Sequence, residues 1–423
     1  MLPDELRAIG RLAGEGMAGP AGLARGVHDA VAQRTFGMLG ILGAPVRLGH
    51  DAISSLAYRS VRTGLSALPR GGGTALALLP APQAIPLRDS GPGSLGLGVL
   101  NGAIGDRLEQ GNRDLALQLT IRDRGLDLPT DATELRRRLP HATGKVAFFV
   151  HGLCETDAAW HLLPLSGRHP ERRSYGARLR DELGYTPLYV RYNSGRHISD
   201  NGRALAEALE ELTRRWPVEL EELVLVGHSM GGLVSRSACL YGERSQAAWI
   251  DLVRHVICLG TPHLGAPLER AAARAGWTLG RLPETRPFAD LVNGRSSGIK
   301  DLRFGSCIEE DWRDCDPDEF LRDRCAEVSF LESASYWFVG ATIARRHESR
   351  FGRLVGDALV QYSSASGQGR RRIGFELEDG VHLGGMNHIQ LLNHPAVYSL
   401  MAEWLRGREG DPASSSPREL EGA

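Results

Sequence analysis

The sequence predicts an α/β fold: a mostly parallel, doubly wound sheet with a cap or lid insertion and an N-terminal helical extension. Three observations predict it. Short apolar runs rich in β-branched residues recur between residues 145 and 341, as strands buried on both faces do. Stretches of helical periodicity separate them, so successive strands are joined by crossovers and run parallel. One strand, residues 223–226, leads directly into Gly227-His228-Ser229-Met230-Gly231-Gly232 and then into a helical pattern, giving strand, tight turn and helix in that order.

Composition narrows the function classes. The 423 residues carry a net charge of −1, with 42% hydrophobic and 24% charged residues, the profile of an ordinary globular chain. A nucleic-acid binder would concentrate basic charge, and none is concentrated here. The six cysteines form no C-x-x-C pair, which argues against zinc ribbons and thioredoxin-like chemistry. Cys239 and Cys258 lie in apolar surroundings and read as buried thiols. Cys307, Cys315 and Cys325 fall in one charged segment, where bridged and unbridged states both fit. The N-terminus alternates charged and apolar residues and lacks the apolar core of a secretory signal. The stretch nearest to an apolar span, the uncharged residues 71–87, is broken by Pro80, Pro82 and Pro86. No cleaved signal, no transmembrane span and a cytoplasmic setting are therefore expected, and no metal or cofactor.

Taken in order, residues 1–110 read as a helical extension followed by a Gly/Pro-rich linker. Val46, Ile53, Leu56, Ala57, Val61, Leu65 and Leu68 mark one helical face, and Val27, Ala30 and Val31 a weaker one. Such faces pack onto a domain or serve as a peripheral membrane or partner surface. Residues 111–408 form the main domain. LALQLTIRD, residues 115–123, alternates like an antiparallel edge strand, and residues 133–139 read as a short helix. Strands are expected at 145–150, 186–192, 223–227, 255–260, 336–341 and 371–377. Helices are expected at 175–183, from a cap at Ser199 or Asp200 to Arg215, after Met230, and in the segment bearing Val397, Leu400, Met401, Trp404 and Leu405. Residues 266–333 break the rhythm and read as a cap or lid insertion. Residues 409–423 read as a disordered tail.

The glycines flanking Ser229 let strand and helix approach closely around a serine held in a tight turn. With 52 glycines in the chain the bare pattern arises easily by chance, so its surroundings carry the argument. A serine hydroxyl needs a base within hydrogen-bond reach, and the base an orienting carboxylate. His388 is the expected base: it follows Gly384-Gly385-Met386-Asn387 and precedes the last helix, with His394 as the rival. Asp357 is the expected acid, with Asp379 as the rival. Ser229, Asp357 and His388 then occur in the chain order nucleophile, acid, base. The strand at 145–150 runs into His151-Gly152-Leu153, and the backbone N–H groups of Leu153 and Met230 are the expected oxyanion donors. His228 is expected to shape the pocket.

Together HGL at 151–153, GHSMGGL at 227–233, LGTPHLGAP at 259–267, GDALV at 356–360 and NHIQLLNHP at 387–395 make residues 145–405 resemble the lipase and esterase branch of the α/β-hydrolase superfamily. That branch includes bacterial lipases and GPI inositol-deacylase-like proteins. The resemblance implies serine hydrolysis of carboxylic esters, favours a lipid-like acyl substrate, and needs no organic cofactor. It implies that His263 is structural or lines the pocket. Where many relatives have Asp-Gly in the acid loop, this chain has Asp357-Ala358. Acyl transfer or thioester cleavage by the same residues, and a non-catalytic membrane- or protein-binding module, are the alternative readings.

Overall fold

The computed structural model describes residues 1–16, 85–161, 173–279, 285–315, 325–346, 356–368, 379–407 and 418–421, with isolated positions elsewhere. The two helical faces read in residues 27–31 and 46–68 lie outside the described residues. Among the described residues no helix is long and apolar enough to cross a membrane.

The sheet contains β1 (Thr120–Asp123), β2 (Leu126–Asp127), β3 (Lys145–Val150), β4 (Thr186–Arg191), β5 (Glu222–His228), β6 (Val253–Leu259), β7 (Ser335–Thr342), β8 (Gly380–Gly384) and β9 (Arg418–Glu421). Their spatial order is β2-β1-β4-β3-β5-β6-β7-β8-β9. From β4 to β9 neighbouring strands pair in parallel, and β1 runs antiparallel to both β4 and β2. The strand order reverses at β3, which lies between β4 and β5, and the crevice beyond the strand ends at such a reversal is where open α/β sheets bind ligands.

Alternation along the strands explains why they read as unbroken apolar runs. Val146, Phe148, Val150, Leu223, Leu225 and Val256 point to one face. They pack on Leu205, Leu209 and Leu212 of a helix at Ile198–Arg214 and on Leu233, Val234 and Ala238 of a helix at Met230–Arg244. Ala147, Phe149, Val224, Val226, Ile257 and Leu259 point to the other face. There they meet Tyr175 and Leu179 of the helix Tyr175–Leu183 and Val397, Leu400, Met401 and Trp404 of the helix Pro395–Arg406. Each such side chain, fully buried, contributes about 1.5–3 kcal/mol.

Four expectations need correction. First, the Gly/Pro-rich stretch ends in a helix, α1 (Gly91–Gly111), capped by Ser90, whose Oγ accepts from Gly93 N, and kinked at Ile104. Its glycines permit close contact: a Cβ on Gly102 would lie 2.8 Å from Cys154 N, and one on Gly105 would overlap Asn193 Oδ1. Second, the helix at 198–214 takes no cap from Ser199 or Asp200; Ile198 N donates instead to Asp301 Oδ2 at 2.8 Å, from 103 residues away. Third, of the strand expected at 371–377 only residues 373–375 are described, and the strand that pairs with β7 is β8. Ile373 and Phe375 are core residues outside any strand, and β8 escaped notice because glycines bound a five-residue run. Gly380 is required there, because a Cβ would strike the Phe338 ring. Fourth, within the expected tail Arg418–Glu421 pairs with β8, whose outer backbone groups would otherwise form an open edge.

The insertion between β6 and β7 includes helices α2 (Pro267–Leu279), α3 (Arg286–Asn293) and α4 (Ser297–Asp301). Its middle, at the start of α4, is pinned to α1: Ser296 Oγ donates to Gly102 O at 2.6 Å, and Ser297 N and Oγ both donate to Asp106 Oδ2 at 3.0 Å.

Candidate active site

Ser229 sits between β5 and the helix at 230–244 with φ 53° and ψ −122°. A non-glycine residue rarely occupies that region, and it persists only where its surroundings enforce it. Here Ser229 N donates to Leu259 O at 2.8 Å, and Gly232 N donates to Ser229 O at 3.1 Å. A Cβ on Gly231 would lie 2.2 Å from Val150 O, so the turn tolerates no side chain there.

Gly260, which follows β6 with φ 59°, has the His388 ring against it. The same ring lies 4.7 Å, centre to centre, from His228, the residue before the serine. His388 Nδ1 is 2.6 Å from Asp357 Oδ2, and both residues are buried. Asp357 is held by its own turn: Oδ1 accepts from Leu359 N at 3.0 Å and Val360 N at 2.8 Å. Its carbonyl accepts from His388 N at 3.0 Å. Among the described residues, His388 Nε2 has no hydrogen-bond partner. With Nδ1 donating to a carboxylate, Nε2 is left as the proton acceptor. His394 is differently employed: its Nδ1 accepts from Ala396 N at the start of the last helix.

The loop after β3 closes the other side. A Cβ on Gly152 would come 3.0 Å from Ser229 Cβ, so this backbone lies directly against the nucleophile candidate. Leu153 follows, and among the described residues its N–H meets no acceptor. Met230 is the first residue of its helix, where an N–H has no intrahelical carbonyl to meet.

Two further buried histidines have their pKa values shifted in opposite directions. His151 Nδ1 faces Gly152 O at 2.8 Å, while its Nε2 accepts from Tyr192 N at 3.3 Å, the pattern of a neutral ring. Burial lowers its pKa, against the smaller effect of the Gly152 bond. His228 Nδ1 faces Glu155 at 3.0 Å and its Nε2 faces His388 O at 3.2 Å. Burial lowers the His228 pKa, but the Glu155 charge and hydrogen bond outweigh it and leave it raised. Glu155 answers in kind: burial raises it, and His228 and the Gly152 N–H bring it below the usual carboxylate range. Glu155 drew no attention in the sequence, since a glutamate three residues after a glycine belongs to no pattern. His263, expected to be structural or to line the pocket, is buried with Nδ1 3.2 Å from Arg236 and its ring against Phe375.

The strand order, the crossovers and the tight turn after β5 decide the architecture. The chain has the α/β-hydrolase fold. A family profile described as PGAP1-like alpha/beta domain matches residues 189–282, from within β4 through the Ser229 turn. No curated protein matches the sequence. Among solved structures, the mature lipase BlEst2 of Bacillus licheniformis is similar at 19% identity and a TM-score of 0.41, over 62% of this chain and 91% of that one. An esterase of Thermogutta terrifontis gives 13% and 0.33, over 63% of this chain and 90% of that one. The phospholipase PlaB of Legionella pneumophila gives 15% and 0.35, over 62% of this chain and 59% of that one. Likenesses of this degree do not bear on substrate.

The turn after Asp357 holds a strained residue. Ala358, where Asp-Gly is common among relatives, has φ 90°, a conformation that favours glycine. Ala358→Gly is expected to stabilise the protein by about 1 kcal/mol, as relief of strain exceeds the entropic cost. A denaturation midpoint equal to or below that of the parent would contradict this.

Proposed function

We propose that the protein is a serine hydrolase that cleaves carboxylic esters through an acyl-enzyme. The observation that carries this reading is the buried Asp357–His388 pair, whose imidazole lies 4.7 Å from the ring of His228, the residue before a serine at φ 53° on a strand-to-helix turn. Ser229 Oγ attacks the ester carbonyl while its proton passes to His388 Nε2. The tetrahedral oxyanion is met by the N–H groups of Leu153 and Met230. Collapse expels the alkoxide, which takes the proton from His388. Water, deprotonated by His388, then attacks the acyl-enzyme and frees the acid and Ser229. Asp357 keeps Nδ1–H pointed away from the serine and stabilises the imidazolium.

Apolar side chains favour a lipid-like acyl group. Ile389, next to the base, is 42% exposed, and Leu359, two residues after the acid, is 44% exposed. The insertion at 266–333 is read as a cap over this region.

A fluorophosphonate probe and a series of p-nitrophenyl esters test the reading together. The folded protein is expected to be labelled on the peptide containing Ser229. Its kcat/KM is expected to rise at least tenfold from acetate to octanoate. No labelling and no turnover of any ester by folded protein would sink the hydrolase reading; a preference for acetate would sink the lipid-like acyl group alone.

A further inference from the structure

Glu155 and His228 join three loops that the reaction needs in register. Glu155 Oε2 accepts from Gly152 N at 2.7 Å, which sets the backbone that presents Leu153. The Glu155 carboxylate meets His228 Nδ1 at 3.0 Å. His228 Nε2 meets the backbone carbonyl of His388 at 3.2 Å. One chain of contacts therefore runs from the oxyanion loop, across the residue preceding Ser229, to the loop carrying the base. Both partners of His228, a carboxylate and a carbonyl, are acceptors only, so both ring nitrogens must donate and the ring must carry two protons. The His228 side chain is fully buried, and Glu155 is the anion that compensates it.

We propose that Glu155 and a doubly protonated His228 are positioning residues that hold the oxyanion loop and the His388 loop in register around Ser229. The proposal rests on the hydrolase reading for its kinetic consequences but not for the charge state of the pair. Other groups facing His228 are few. His388 and Asp357 approach from the loop after β8 and the turn after β7, and the Trp160 edge contributes no charge. His151, on the far side of Glu155, is neutral by its hydrogen-bond pattern.

The direction of the pH effect follows. Loss of one proton from His228 breaks one of its two bonds, so activity falls as pH rises through its raised pKa. The His228 contribution to stability is complete below the ordinary histidine value of 6.5 and is lost as pH rises through the raised folded pKa. The Glu155 contribution is present above the ordinary glutamate value of 4.5 and is lost as pH falls through the lowered folded pKa. The clamp is strongest between the two.

The experiment has two arms. In full-length protein labelled with ¹⁵N-histidine, the His228 resonance, assigned by its absence in His228→Gln, is expected to report two protonated nitrogens at pH 7.5. A neutral ring there overturns the proposal whatever the activity. In Glu155→Gln, checked for folding by circular dichroism, kcat for p-nitrophenyl butyrate is expected to fall about 10- to 100-fold with KM changed less than threefold. The alkaline limb of kcat is expected to move about one pH unit downward. Parental kcat and an unmoved alkaline limb in this variant overturn the proposal. If the parent hydrolyses no ester, the hydrolase reading fails, and the ¹⁵N measurement still decides the charge state on which the clamp depends.

Discussion

Ser229→Ala is expected to lower kcat for ester hydrolysis by about 10⁵- to 10⁶-fold, and His388→Ala by a similar factor. The double variant should lose little more than either single one, because an idle base cannot help an absent nucleophile. This follows from how the groups are placed. His388 Nδ1 is committed to Asp357 at 2.6 Å, so the proton acceptor is Nε2 alone. Ser229 is held at φ 53° by bonds to the neighbouring strand β6 and to the helix that follows it, and does not wait on a rotation of its backbone. Asp357→Asn should be milder, at about 10⁴-fold, since it spoils the tautomer and leaves the base present. Steady-state kinetics on the preferred p-nitrophenyl ester would check all four variants. Losses that multiply in the double variant would mean that Ser229 and His388 act independently, contrary to the mechanism.

Asp157→Asn is expected to destabilise the fold by about 3–5 kcal/mol. Asp157 is almost wholly buried and shared by two buried arginines, with Oδ2 3.2 Å from Arg122 Nε and Oδ1 bonded to Arg191 Nε. Arg191 also donates to Arg88 O at 2.7 Å and Ser94 Oγ at 3.2 Å, and Arg122 reaches Asp89 at 3.2 Å. Asp157 thus bridges the two arginines that join the start of α1 to β1 and β4, with Asp89 and Asp127 also on Arg122. An amide there leaves the buried Arg191 guanidinium short of compensation in a low-dielectric setting, while Arg122 keeps Asp89 and Asp127. The urea midpoint should fall while the slope stays unchanged, and proteolysis near residues 85–95 should quicken as α1 loosens. A loss below about 1 kcal/mol would mean that the arginines recruit other acceptors or water.

Strands β3 to β7 were legible because each is buried on both faces and so reads as a continuous apolar run. The helices at 175–183, 198–214 and 230–244 were legible because each buries one stripe. β8 was not, because its five residues are bounded by glycines that serve contacts with Phe338 and Arg345. Nor was α1, whose glycines look like helix breakers but allow close approach to Cys154 and Asn193. The serine turn stood out because its glycines meet a local requirement. Preferring Asp357 to Asp379 and His388 to His394 rested on position relative to strands, and the 2.6 Å contact joins the preferred two.

The sequence by itself determined the sheet's central strands, the serine turn and the chain order of the three residues proposed to react. Each of these is written in local periodicity or in close-range steric need. Tertiary structure alone decided that Asp301 caps a helix 103 residues earlier, that Asp157 serves two arginines, and that Glu155 meets His228. Those pairings depend on burial. A buried charge must find its partner wherever the fold brings one, and distance along the chain does not constrain the choice.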